Sequence, residues 1–268
     1  MEASAIQKAI SDLPKDCRTP LTALLLRLGD DRLILGHRLS EWCGHAPILE
    51  EDIALANIAL DHIGQSEALL RLAGLVEGNG RSEDDLAFLR DAKDFRCCRM
   101  VQLPKGDFAF TILRQFLFST YSACVWEQMQ KSPWLPFAGI AQKSLKEAMY
   151  HVRHSQEWTL RLGDGIEESH NRAQEALSSL WPYTAELFRE SEGTAELQKA
   201  GIACSLSAVI ASWRERVEAL LKEATLTIPE DDTALFLSNI PTAQHTEHLG
   251  HLLAEMQVLP RAHPGAQW

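Results

Sequence analysis

The stretch 146–158, KEAMYHVRHSQEW, decides how the chain is read. As a helix it sets Glu147, His151 and His154 at i, i+4 and i+7, along one stripe. Carboxylate and imidazole stacked in this way inside a helical bundle make either a metal site or a polar layer held by hydrogen bonds. The choice depends on what the other helices bring to the same depth.

Those helices are legible in both directions from this stretch. Helical periodicity carries four long segments, at 21–43, 50–74, 107–130 and 137–162. Gly44 and Pro47 separate the first two, Gly74 and EGNGRSEDD end the second, SPWLP turns the third into the fourth, and GDG stops the fourth. A short N-terminal helix is expected at 5–13, with Pro14 and Pro20 as breakers. DDLAFLRDAKDF reads as a short connecting helix between the second and third segments. Three further helices are expected at 168–188, 195–224 and 242–258, followed by an extended tail, PRAHPGAQW. No segment alternates as a strand does. Two helix pairs joined by one long connection predict an all-α, ferritin-like four-helix bundle with additional C-terminal helices. Residues 1–20 are set apart as an N-terminal extension and 21–268 as a single domain.

Composition limits the function. The chain has 268 residues, 46% of them hydrophobic and 24% charged, with a net charge of −11. No dense Lys/Arg run appears, which argues against nucleic acid and against anionic membrane surfaces. A local basic patch for a phosphate-bearing ligand stays open, because net charge does not fix local fields. The N-terminus lacks the apolar core of a signal peptide, and IALANIALDHIG is too short and too interrupted to span a bilayer. None of the six cysteines lies in a CxxC pair, as expected for reduced thiols in a cytoplasmic protein.

A ferritin-like di-iron site takes a Glu from each of two helices and a Glu-x-x-His from each of the other two. The second segment offers Asp61-His62-Ile63-Gly64, with glycine where histidine is needed. His62 points about 100° away from Asp61 around the helix. The fourth segment offers Glu147-Ala148-Met149-Tyr150, with tyrosine at the histidine position. Glu41 and Glu127 are candidates for the single carboxylates. With both histidines lost, the favoured reading is a polar layer salt-bridged to Lys146 or Arg153. Glu167 and His170 do form a Glu-x-x-His, but at a helix start where Glu suits the dipole. His245, His248 and His251 recur every three residues, and the last two are spaced to clip a metal. No phosphate-binding glycine loop and no nucleophile elbow is present.

LILGHRLSEWCGHAPILEEDIALANIALDHIGQ, EDDLAFLRDAKDFR, GDFAFTILRQFLF, HVRHSQEW, RLGDGIEESH, LWPYTAELF and HLLAEMQVLPRAHPGAQW carry a resemblance. Over residues 21–268 the chain resembles the C subunits of the bacterial multicomponent phenylacetyl-CoA epoxidases. The resemblance implies a ferritin-like subunit without a working di-iron centre, hence no cofactor in this chain and no catalytic residue. Glu41, Asp61, Glu147 and His151 are then vestigial ligand-like positions. It further implies a homologous catalytic subunit as partner, which holds the di-iron centre and epoxidises the ring of phenylacetyl-CoA with dioxygen. Further complex subunits are implied, among them a reductase with flavin and an iron–sulfur cluster that draws on NADPH. The function expected is noncatalytic structural support of that partner in aerobic phenylacetate degradation. Its rival is a self-sufficient di-metal oxidase using Glu41, Asp61, Glu127, Glu147 and His151. Phe108, Phe110, Phe116 and Phe118 serve either the core or a subunit interface, and Trp268 is a further contact candidate.

Overall fold

Leu21, Leu25, Leu28, Leu35 and Leu39 recur at spacings of three and four, with Arg32 in the remaining place of the stripe. In the computed structural model, which describes residues 3–190, 193–230 and 244–266, all six are buried on helix α2 (Lys15–Ser40). Helix α1 (Ala3–Ser11) precedes it, and Ile10 and Leu13 already belong to the core, so the segment 3–20 is packed against the rest. Pro20 does not break the chain there. It sits in the second turn of α2, where one helical hydrogen bond is forgone near an exposed end.

Helix α3 (Leu49–Glu77) opens with Glu50, Glu51 and Asp52, which suit the positive end of its dipole. It closes at Gly78, whose left-handed backbone lets its N–H reach the Gly74 carbonyl. Helices α2 and α3 approach closely because Gly29 and Gly36 face α3. A Cβ at either would lie 2.8 Å from Leu70 or 3.0 Å from Ile63. Gly74 is tighter still, since a Cβ there would fall 2.2 Å from the Arg81 carbonyl oxygen, which cannot rotate aside. Gly74→Ala is therefore expected to lower the unfolding free energy by about 1–3 kcal/mol in a urea titration. An unchanged midpoint would show that the Arg81 backbone yields freely.

Residues 78–107 carry helix α4 (Glu83–Phe88), whose Ser82–Asp85 capping box fixes its start, and helix α5 (Arg99–Gln102). Helix α6 (Phe108–Met129), capped by Asp107, and helix α7 (Leu135–Gly163) complete the bundle. Contacts between helices give the topology. Arg32 meets Gln65 and Ser122, and Trp42 meets Thr111, so α2 runs antiparallel to both α3 and α6. Glu51, Asp61 and Gln65 meet His154, His151 and Glu147, so α3 runs antiparallel to α7. Helices α3 and α6 are thus parallel and diagonal, and the long connection has to run the length of the bundle, from the end of α3 to the start of α6 at the opposite end. That is the ferritin-like order expected from the sequence.

The C-terminal third departs from the expected lengths. The helix expected at 168–188 ends as α8 (Glu167–Leu180), because Trp181-Pro182-Tyr183 tightens into a 3₁₀ turn before α9 (Thr184–Leu187). The helix expected at 195–224 divides into α10 (Thr194–Lys199) and α11 (Leu206–Glu223), with Gly201 left-handed between them. The tail expected to be extended from Pro260 continues as helix α12 (Glu247–Ala262). Arg261 donates to the carbonyls of Phe88, Leu89 and Arg90, and Gln257 to those of Ala87 and Arg90, which holds this last turn on the crossover. Trp268 lies outside the described residues. Phe116 and Phe118 are fully buried, and Phe108 and Phe110 are half-buried against the core, so this aromatic set packs the bundle.

Candidate functional site

The stripe on α7 faces α3 along its whole length. Glu147 accepts from Gln65 Nε2 at 2.9 Å, His151 Nε2 meets Asp61 Oδ2 at 2.9 Å, and His154 Nε2 meets Glu51 Oε2 at 2.8 Å. Lys143, one turn before Glu147, is its cationic neighbour at 3.7 Å, in place of the expected Lys146 or Arg153. Neighbours Asp61 and His62 diverge as the helical step requires, Asp61 toward α7 and His62 toward α6. The His62 ring nevertheless lies 5.0 Å from that of His151.

The deepest part of the layer belongs to Arg32. It is wholly buried, donates from Nε to Gln65 Oε1 at 2.8 Å, from Nη1 to the Leu28 carbonyl at 2.9 Å and from Nη2 to Ser122 at 3.2 Å. Its guanidinium also lies 4.4 Å from the Trp126 ring centroid. Burial pulls its pKa down to about 10, with Asp31 resisting, so it stays a cation at neutral pH. Gln65 passes the contact on, accepting from Arg32 and donating to Glu147. On α6, Gln115 donates to His62 Nε2 at 3.2 Å and to Ser119 at 2.9 Å.

Desolvation, together with the neighbouring His151 and Arg32, pushes His62 well below its ordinary pKa. Its Nδ1 is buried without a partner among the described residues. The unfolded chain binds a proton on His62 below about pH 6.5, whereas the folded chain does not, so folding is opposed as the pH falls. Stability from urea titrations should drop with acidification by up to about 1.4 kcal/mol per pH unit from this group alone. In His62→Gln the slope between pH 6.5 and 5.5 should be shallower by about one proton. Equal slopes in the two proteins would mean that His62 titrates normally.

The iron pair that a ferritin-like bundle can hold does not fit these residues. Position by position, α2 supplies a guanidinium, α6 an amide and two hydroxyls, α3 Asp61 and His62 beside an amide, and α7 Glu147 and His151. A guanidinium has no lone pair to offer and its charge repels a metal cation. Among the described residues, no group of three or more His, Cys, Asp and Glu side chains is placed to hold a metal ion. Glu41 is not in the layer: it caps the end of α2, paired with Arg38 at 2.6 Å, nine residues or about 13 Å along the axis from Arg32. Glu127 faces outward and takes both terminal nitrogens of Arg216 on α11 at 2.9 and 2.8 Å. The structure thus brings Asp61, Glu147 and His151 to one layer, and leaves Glu41 and Glu127 elsewhere.

The other histidine motifs are structural. His170 Nδ1 caps the Gly163 carbonyl at 2.7 Å. His245 leaves the α12 series to meet the Phe95 carbonyl at 2.9 Å and Gln102 at 2.8 Å, while His251 is exposed. Sequence reasoning missed Arg32, Gln65, Gln115, Ser119 and Ser122. Arg32 was detectable, because it stands where the leucine stripe of α2 calls for an apolar residue.

Comparison with known proteins adds a lineage to this geometry. The chain is 44% identical over 248 residues to the C subunit of 1,2-phenylacetyl-CoA epoxidase from Escherichia coli (strain K12), an alignment covering 92% of this chain and 99% of that protein. A family model described as phenylacetic acid catabolic protein matches residues 1–268. No helix among the described residues is long and apolar enough to cross a membrane. From end to end, then, this all-helical chain with Arg32 at its centre belongs to the phenylacetic acid catabolic protein family.

Proposed function

We propose that the chain is a noncatalytic structural subunit of a cytoplasmic complex that epoxidises the ring of phenylacetyl-CoA. In this reading a homologous catalytic subunit holds the di-iron centre, and a reductase with flavin and an iron–sulfur cluster supplies its electrons. The observation that carries the proposal is Arg32, a buried cation hydrogen-bonded across three helices at the depth where a di-metal site needs carboxylates. Four open carboxylates facing one another repel unless metal offsets them. A layer closed by Arg32, Gln65 and Ser122 holds its bundle together without metal, so it can act as a rigid wall for a partner. Exposed Leu60 on α3 and exposed Met149 and Tyr150 on α7, beside Asp61 and His151, support an apolar contact on that side. The relative's designation as part of an epoxidase supports the complex and its substrate class.

The test is iron loading. After anaerobic incubation with Fe(II) and desalting, the isolated chain should retain essentially none. Retention of about two irons per chain would overturn the proposal in favour of a self-sufficient oxidase. In the complex reconstituted with its catalytic partner, Asp61→Asn and Glu147→Gln should leave turnover per complex unchanged. A loss of turnover in a fully assembled complex would place these carboxylates in the chemistry.

A further inference from the structure

A cleft of about 1120 Å³ opens away from the polar layer. It lies between the first three turns of α2, the end of α3, the 92–99 part of the crossover and the segment after α9. Nine Lys and Arg side chains line it against four Asp and Glu, in a protein whose net charge is −11. Basic residues are therefore concentrated here against the trend of the whole surface.

Arg81 is taken up by Glu77 on α3, and the other eight cations divide into two sets. Arg90, Arg99 and Arg27 form the floor: Arg90 is paired with buried Asp30, Arg99 with buried Glu186 at 2.7 Å, and Arg27 donates to the carbonyls of Glu186 and Leu187 at 2.7 and 2.9 Å. The rim holds Lys15, Arg18, Lys93, Arg96 and Arg189, none of which has a carboxylate partner among the described residues. Arg18 spends Nη2 on the Ile10 carbonyl, and its Nε is buried with no acceptor among the described residues. Like charges gathered around one cleft repel one another, and an anion that bridges them removes that repulsion. Guanidinium groups present paired N–H donors that match phosphoryl oxygens.

We propose that this cleft binds a compact anion bearing two or more phosphoryl groups. Its volume suits a ligand of nucleotide size, given that small-molecule pockets run to roughly 300–1,000 Å³. Cations on several sides of one hollow, not along a stripe, favour such a compact ligand over an extended acidic chain. Two sources share the chemistry: free pyrophosphate-type anions, and the diphosphate and ribose phosphate of coenzyme A. The coenzyme A source rests on the proposed function, and the free-anion source does not.

Calorimetric titration of the full chain in phosphate-free buffer, with inorganic pyrophosphate and with coenzyme A, tests this. Saturable one-to-one binding of at least one of them is expected, weakening as NaCl is raised. Arg96→Gln/Arg189→Gln should weaken it at least tenfold, with an unchanged thermal midpoint, while Lys222→Gln at the far end of α11 should not. Should the double variant fail to fold, the exposed rim substitution Lys93→Gln is expected to weaken binding about threefold, as removal of one screened charge would. Binding of pyrophosphate alone keeps the site and removes coenzyme A as its ligand, whereas tighter binding of coenzyme A assigns the source. No saturable binding of either, binding indifferent to the rim variants, or tighter binding of an oligoglutamate peptide would each overturn the proposal. Iron loading reports independently on the subunit's role, so failure of that reading and failure of this one are told apart.

Discussion

Arg32→Ala is expected to lower the unfolding free energy by about 3–5 kcal/mol, as large buried side chains do when truncated to alanine. Two effects combine. The side chain fills space between three helices, against Trp126 and Phe118, and its removal leaves a void there. It also leaves Gln65 Oε1, Ser122 and the Leu28 carbonyl each short of a donor. Buried acceptors left unpaired cost about 1–3 kcal/mol apiece, although water admitted to the void will recover part of that. Arg32→Met separates the two effects, since it keeps most of the volume and none of the donors. It should fall about midway, on the order of 1–3 kcal/mol below wild type. Urea titrations of the three proteins decide the matter. A value for Arg32→Ala within about 1 kcal/mol of wild type, on this scale, would mean that the guanidinium is solvated and the layer loosely built.

The second large effect belongs to Asp30, which is wholly buried on α2. Its carboxylate takes both terminal nitrogens of Arg90 and accepts from the Arg96 backbone N–H at 2.8 Å, so one side chain ties the crossover to the bundle. Burial pushes its pKa up, with Arg90 as the largest opposing influence. Asp30→Ala strands Arg90 as a buried, unpaired charge and should cost about 3–5 kcal/mol. The double change Asp30→Ala/Arg90→Met removes both charges and should recover part of that loss, since buried ion pairs gain little over apolar replacements. A double variant as unstable as the sum of the two single ones would show that the charges act independently and that the pair is not what couples crossover to bundle.

How much could be read in advance follows from which interactions are local. The four bundle helices declared themselves because their apolar spacing and their breakers lie within each segment. Leu21 through Leu39 recur at helical intervals, and Gly44 and Gly78 end what precedes them. The stripe Glu147, His151, His154 was equally local, and it does form a polar layer. Its partners were not local. Gln65 and Gln115 are ordinary polar residues until other helices are brought beside them, and nothing within their own segments marks their depth; Arg32 is marked by its place in the leucine stripe, but its partners are not. Pro260 shows the same limit from the other side. It looks like a stop, yet Arg261 and Gln257 find carbonyls on residues 87–90 that hold the helix through it. Glu41 and Glu127 failed as candidates because position along a helix was inferred from sequence alone, and the register between helices was not available there.

The clamp of the C-terminal segment on the crossover has a bearing on biogenesis. Gln102 on α5 is completed by His245 and Thr246, 143 and 144 residues later, and the carbonyls around Arg90 wait for Gln257 and Arg261. At synthesis rates of roughly 5–20 residues per second, the crossover emerges roughly 7–30 s before the segment that closes over it. During that interval the nascent bundle can assemble its two helical hairpins while these crossover groups remain uncapped. A ribosome-bound chain paused before residue 244 should therefore be cut by protease within residues 83–102, and the released full-length chain should resist. The C-terminal helix thus acts as a late latch on an earlier strap, made long after the groups it caps.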